Sequence, residues 1–291
     1  MKNEIVIHDQ NMSIDIKKSA WAGLSKETRK AYSSDYKMFF DFVDKIANEV
    51  TGGDIISYIE HLERSGMKSR TINRKIASLS KFFEIAKLAG DIQVNPVRMV
   101  SKLTKITRSF SRQAHSNVEK SDIERLVVEY KNGTLQQKKM CVIIRFLAST
   151  GLRVSEFIFI KNKDIYGENN GKRIRVVGKG KKERFIFISS SMYNDVKRIY
   201  KEENEYLFYT IRRSHYNRKV LWKQINNAFL DTTGKNVHPH SLRHFFATYK
   251  ISVEKQDIKA VSLYIGHADV STTLQMYVDT ALDNKSAVLK I

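Results

Sequence analysis

From Ser25 onward the apolar positions Tyr32, Tyr36, Phe39, Val43 and Ile46 recur at intervals of three or four, which places them on one stripe of a long helix. A second helix carries Ile55, Ile59 and Leu62 and meets a stop signal at Gly66. A third runs from Ser69 to Gly90 with Ile72, Ile76, Leu79, Phe83 and Ala86 inward. Three amphipathic helices with short connections predict a compact helical domain of about 100 residues. Periodicity fades between Ile92 and Val118, and helical patterning returns with Ile123, Leu126, Val127 and Tyr130 behind a capping box on Ser121 and Glu124. From Arg173 to Ile188 the period changes to two around Gly178, Lys179 and Gly180, which predicts a β-hairpin with a glycine turn. Helical patterns resume near Tyr193 and dominate to the end. The expected fold is mainly α with a small β-hairpin or sheet: a helical domain over 1–100, a linker over 101–118 and an α+β domain over 119–291.

Charge changes the picture. Lysine and arginine number 51 against 31 acidic residues, a formal net charge of +20, which calls for a polyanionic partner. Nucleic acid leads, with membrane surfaces and ribosomal assemblies as other partners of basic chains. The segment from Ile92 to Val118 has no acidic residue but carries Arg98, Lys102, Lys105, Arg108 and Arg112, as a linker crossing a phosphate backbone would. On the third helix Arg70, Arg74 and Lys81 share the outer side, where they read either as phosphate contacts or as a solvated face. The single cysteine, Cys141, sits in an apolar run and reads as core; it excludes an internal disulfide and a multi-cysteine zinc site. With no stretch near the roughly 20 apolar residues of a membrane span and no apolar leader, an intracellular protein is expected, with no membrane partner.

Four segments carry candidate chemistry. In Thr150-Gly151-Leu152-Arg153-Val154-Ser155-Glu156 a turn delivers Arg153 to the first turn of a helix, with Glu156 placed to orient it. The turn Gly178-Lys179-Gly180 puts Lys179 at a hairpin tip, able to enter a groove or protonate a leaving oxygen. In His238-Pro239-His240-Ser241-Leu242-Arg243-His244 a helix opening at Pro239 projects His240 and Arg243 to one side. His240 with His244 has metal-ligand spacing, but the adjacent arginine would repel a cation, so no metal is expected. Last, a helix stops at Gly266-His267, and another starting near Ser271 or Thr272 carries Leu274, Tyr277 and Ala281 on one face. Taken singly, each segment also fits a plain surface or core assignment.

Together, in this order, the four segments resemble the signature of the tyrosine recombinase and phage integrase family. The resemblance covers the second domain from about Val118 to the end, and the first domain looks like the family's core-binding, SAM-like domain. It implies that Arg153, Lys179, His240, Arg243, His267 and Tyr277 are catalytic, with Tyr277 the nucleophile, and that Glu156 is a supporting acid. Tyr277 stands ten residues after His267 (277 minus 267), whereas many members have one fewer and would place Met276 there; phage and conjugative-element integrases share the longer spacing. The function implied is site-specific recombination through a 3′-phosphotyrosine, without metal or cofactor. Implied partners are double-stranded DNA, a homotetramer on two DNA sites, and a second recombinase or a directionality factor.

The residue chemistry agrees with that reading. Attack on a phosphodiester builds charge on two non-bridging oxygens, and a guanidinium presents paired donors of matching geometry. Arg153 and Arg243 would clamp those oxygens with His267, and His240 is the expected partner of the Tyr277 proton. The tail holds Leu282, Val288, Leu289 and Ile291, which reads either as a segment docking on a neighbouring subunit or as a local helix. The rival functions are a type IB topoisomerase-like relaxation enzyme and a non-catalytic DNA-binding regulator. The short segment before the first helix leaves little room for a separate arm-type DNA-binding domain.

Overall fold

The computed structural model describes residues 24–103, 118–178, 180, 182–201, 203–267, 269–271 and 273–274, with backbone alone at 26 and 101–103. The chain divides into two compact units, Met1–Arg112 and Gln113–Ile291. It is mainly helical with one small antiparallel sheet, as its patterning predicts.

In the first unit, α1 (Lys26–Val43) is capped by Ser25, whose hydroxyl accepts from the Thr28 N–H at 3.2 Å. It ends at Asp44 in the left-handed region (φ 47°), earlier than the apolar stripe suggests. Ile46 therefore lies beyond the helix and is 41% exposed. The next helices are α2 (Gly52–Arg64), opened by a Thr51/Asp54 capping box, and α3 (Ser69–Leu88). All five inward positions expected on α3 are buried, joined by Phe82, and they pack with Tyr36, Phe39, Ile55, Tyr58 and Leu62 into one aromatic-rich core.

A fourth helix, α4 (Pro96–Leu103), occupies the start of the acid-free basic segment. Val97 and Val100 repeat at helical spacing, are each 3% exposed, and belong to the first unit's core. Asn95 caps the helix by accepting from the Val97 N–H at 3.0 Å. The basic stretch thus begins as packed helix, and Lys105, Arg108 and Arg112 lie outside the described residues.

The second unit begins with α5 (Lys120–Tyr130). Its cap lies two residues before the Ser121 expected from the sequence: the Asp122 carboxylate accepts from the Glu119 N–H at 2.9 Å. Helix α6 (Leu135–Thr150) is the central element, with nine buried residues from Met140 to Thr150 that include Cys141 as a core side chain. It stops at Gly151, left-handed at φ 63°, where an added Cβ would meet the Phe246 ring at 2.5 Å. After the one-turn α7 (Val154–Phe157) comes the sheet: β1 (Ile165–Glu168), β2 (Gly171–Val177) and β3 (Glu183–Ser189), antiparallel in that order. β2 and β3 are the expected hairpin, closed by a Gly178 N–H to Lys182 carbonyl bond of 2.8 Å; β1 is an addition. Ile174, Val176, Ile186 and Ile188 turn into the core, where α8 (Ser190–Ile199), α9 (Arg218–Thr233) and α10 (Pro239–Ser252) also pack. The short α11 (Ile258–Ile265) joins α10 in a satellite cluster around Phe246, Val261 and Ile265. Among the described residues no helix is long and apolar enough to cross a membrane.

Candidate DNA-cleavage site

Arg153 sits at the N-cap of α7, just past the sharp turn at Gly151. The Glu156 carboxylate folds back to accept from the Arg153 N–H (2.9 Å) and from Arg153 Nη1 (3.0 Å), so an acid, and not an open helix end, occupies the backbone donor. Arg153 Nη2 donates to the carbonyl of Gly266 at 2.7 Å, 113 positions on in sequence. One guanidinium therefore ties the α6–α7 turn to the segment that carries His267.

Arg243 reaches the same place from α10. Pro239 is the first residue of that helix, as expected, and Arg243 lies on its buried face with Leu242, Phe246 and Ala247. Arg243 is 1% exposed, and its Nη1 donates to the Gly151 carbonyl at 2.8 Å. Its Nε and Nη2 are buried with no hydrogen-bond partner among the described residues. Burial first, and then the neighbouring charge of Arg153, push its pKa down to about 9, with Glu156 opposing and Arg184 adding to the fall.

Gly266 ends α11 at φ 75°, and the turn it makes presents His267, whose N–H donates to the Ser262 carbonyl at 3.0 Å. His267 Nδ1 and the buried Thr273 hydroxyl lie 2.7 Å apart in a hydrogen bond. Burial, then Arg243, Arg153, His240 and Arg184, lower the His267 pKa to about 4. His240 is exposed on the first turn of α10 and packs edge to face on His244, with ring centroids 4.6 Å apart. Among the described residues no group of three or more His, Cys, Asp or Glu is placed to hold a metal ion.

The structure thus brings Arg153, Glu156, Arg243 and His267 into one neighbourhood, with His240 close enough to depress the His267 titration. Lys179 and Tyr277 lie outside the described residues. The final helix begins earlier than predicted, because its cap is Asp269, which accepts from the Ser271 N–H at 2.9 Å, and not Ser271 or Thr272. Three participants escaped the sequence reading. Arg184 on β3 grips Glu156, while the Gly151 and Gly266 carbonyls orient the two arginines. A charged residue two places before the inward pair Ile186 and Ile188 on an alternating strand was the signal for Arg184; the carbonyls leave none.

Of the expected phosphate contacts in the first unit, Arg70 is exposed and Lys81 half-buried. Arg74 departs from the expectation of a free phosphate contact. Its guanidinium forks onto both oxygens of Asp35, which is 1% exposed and also holds Lys75 (3.0 Å) and Ser78 (3.1 Å). Elsewhere in the second unit, Lys131, Lys138, Lys139, Arg145, Arg198 and Lys201 line an open cleft of about 860 Å³.

Residues 116–283 match the model of the phage integrase family, and residues 20–90 match that of the phage integrase N-terminal SAM-like domain. Tyrosine recombinase XerC of Staphylococcus carnosus (strain TM300) is 30% identical over 263 residues, covering 86% of this chain and 85% of the relative. Tyrosine recombinase XerD of Listeria monocytogenes serotype 4b (strain F2365) is 27% identical over 271 residues, 88% of each chain. Among solved structures, a lambda integrase (75-356) dimer bound to a COC′ core site superposes with a TM-score of 0.72 at 18% identity, covering 95% of this chain and 96% of that one. The XerH site-specific recombinase bound to a palindromic difH substrate, a post-cleavage complex, gives a TM-score of 0.70 at 18% identity, covering 88% and 77%. At these identities the structural likeness concerns the fold.

Proposed function

Because this chain belongs to the phage integrase family, the tyrosine-type site-specific DNA recombinases, we propose that Arg153, Arg243 and His267 receive the scissile phosphate and Tyr277 attacks it. The observation that carries the assignment is electrostatic. Two guanidiniums, Arg153 and Arg243, crowd one place beside His267, burial and neighbouring positive charge disfavour the charged forms of Arg243 and His267, and Arg243 keeps two buried donors without a protein partner among the described residues. An anion with two free oxygens relieves that repulsion and accepts those donors.

In the proposed reaction the Tyr277 hydroxyl bonds to phosphorus as the bond to the 5′ oxygen breaks, leaving a 3′-phosphotyrosine and a free 5′ hydroxyl. His240 accepts the phenolic proton and Lys179 gives a proton to the leaving oxygen, roles that come from the family resemblance. Glu156 supports Arg153. Charge developing on the phosphate meets guanidinium donors, so the step uses no metal and no cofactor. Attack by a different 5′ hydroxyl reverses the chemistry and exchanges strands. The first unit, taken as a core-binding domain over 1–100, and the catalytic domain over 119–291 would both hold duplex DNA, joined by the basic linker 101–118. Four protomers on two sites complete the assembly, with a second recombinase or a directionality factor as further partner. A nucleoid-associated cytoplasmic location follows from a DNA substrate.

Strand exchange between two duplexes carrying a site selected from host DNA, run in EDTA, tests the proposal. Exchange restricted to that site is the expected result. Relaxation of any supercoiled plasmid without exchange would make the chain a type IB topoisomerase-like enzyme, and binding without cleavage would make it a regulator.

A further inference from the structure

We propose that Arg184 is a positioning residue for strand cleavage: it braces Glu156, and through it Arg153, against the segment that carries His267. This rests on the recombinase function proposed for the site. Arg184 stands on β3, next to the hairpin turn, and spends its guanidinium on protein groups. Nη1 donates to Glu156 Oε1 at 3.0 Å, Nη2 to Glu156 Oε2 at 2.9 Å, and Nε to the Tyr264 carbonyl at 2.8 Å. Glu156 holds Arg153 at backbone and side chain, and Arg153 holds the Gly266 carbonyl, two residues past Tyr264. These bonds close a ring through β3, α7 and the turn before His267.

Room for that ring is left by two glycines. A Cβ on Gly266 would stand 3.1 Å from the Arg184 guanidinium carbon, and one on Gly178 would stand 3.2 Å from Glu156 Oε1. Gly178 opens the turn that bears Lys179, so the ring also abuts the base of the hairpin tip. The side chains of Arg184 and Glu156 are 15% and 3% exposed. A buried ion pair of this kind adds little stability over apolar side chains of the same size, whereas a fork held on both oxygens fixes direction. Orientation of Arg153 is what the arrangement supplies.

Electrostatics give the idea a distinctive readout. Burial raises the Glu156 pKa, but Arg184 and then Arg153 outweigh it and hold the carboxyl below its ordinary value. Arg184 faces it from β3, Arg153 from its own turn, and Arg243 interacts with it from α10. His267 faces Arg243, Arg153, His240 and Arg184. In R184K the charge facing His267 stays but the fork is lost, so a change in pH dependence reports on Glu156.

The test uses the full chain and a nicked suicide duplex carrying its selected site, with covalent complex measured in single turnovers from pH about 5 to about 9. For R184K, DNA affinity and thermal midpoint should stay near wild type, while cleavage falls on the order of 100-fold. The acid limb of its profile should move to higher pH, and adding E156Q should cost much less than it does in wild type, because both changes break one unit. Wild-type cleavage by R184K overturns the proposal. So does a loss that is equal at every pH and multiplies with that of E156Q, the behaviour of a merely structural residue. If R184K unfolds, the neutral pair E156Q/R184Q carries the test: DNA binding with lost cleavage supports the bracket, and cleavage at the wild-type rate overturns it. Wild-type protein that traps no DNA would instead remove the recombinase function on which the proposal stands.

Discussion

Arg243 Nη1 donates to the Gly151 carbonyl at 2.8 Å, so a cation buried on α10 is pinned to the left-handed turn that ends α6. That bond occupies one nitrogen and leaves Nε and Nη2 buried without a hydrogen-bond partner among the described residues. Lysine at 243 has a single charged head, which can satisfy the carbonyl or the phosphate but cannot fork across two oxygens. R243K should therefore lower cleavage by about 100- to 1000-fold while DNA affinity changes little. Inorganic phosphate should raise the melting temperature of the wild type more than that of R243K, since the variant lacks the paired donors. Equal cleavage, or an equal phosphate effect, would remove Arg243 from the clamp.

His267 offers a titration with a defined sign. Its pKa is lowered from 6.5 to about 4 by burial and the surrounding cations, so in the free protein it is neutral through the physiological range. Between those values the unfolded chain binds a proton that the folded chain refuses. This contribution to stability is present above about 6.5 and is lost as pH falls through about 4. NMR titration of the imidazole should show the low midpoint, and phosphate or cleaved DNA in the site should raise it by offsetting Arg243 and Arg153. A midpoint near 6.5 that ignores phosphate would contradict the crowded-cation arrangement.

Much of this arrangement is legible before any coordinates. The α3 stripe and the β2–β3 hairpin follow from period, because burial of one face leaves an unambiguous pattern. Arg153 and His267 follow turn glycines, and Arg243 follows the helix opening at Pro239, in a recognisable order along the chain. What escapes is long-range. Val97 and Val100 form too short a run to mark α4, and only packing against the first core reveals it. The Arg74–Asp35 pair spans 39 positions, and the Arg184–Glu156 pair 28, distances at which no local spacing rule operates. Carbonyl acceptors such as that of Gly266 have no sequence identity at all.

The basic residues of the first unit should separate into two classes. Charge reversal at Arg70, Arg108 or Arg112 should weaken binding to all duplex sequences alike and reduce the salt slope by about 1 for each phosphate no longer neutralised. Arg74→Ala is different, because it strips a partner from the buried Asp35 carboxylate. Its main effect should be a lower urea midpoint, and D35A, which leaves the buried Lys75 unpaired, should cost about 3 to 5 kcal/mol. Binding isotherms across a salt series, beside urea melts of the same variants, check both. A reduced salt slope in R74A with stability untouched would return Arg74 to the phosphate-binding class.

The nucleophile is the most direct expectation. The chain has thirteen tyrosines, and among the described residues Tyr36, Tyr58, Tyr130, Tyr200, Tyr209 and Tyr216 are buried. Tyr264, the nearest rival in sequence, is spent: its ring lies on Phe246, its hydroxyl accepts from the Phe187 N–H at 3.3 Å, and burial raises its pKa. Tyr200 and Tyr216 are buried and bonded to each other at 2.9 Å. Tyr277 follows the Gly266-His267 turn in the order the family motif requires. With a nicked suicide substrate in EDTA, wild type should trap a complex whose DNA-linked peptide contains Tyr277, joined through the 3′ phosphate. Y277F keeps nearly all of the ring's packing, so it should bind the same duplex with unchanged affinity and trap none. An adduct that persists in Y277F and maps to another tyrosine, or a strict requirement for magnesium, would overturn both the residue and the mechanism.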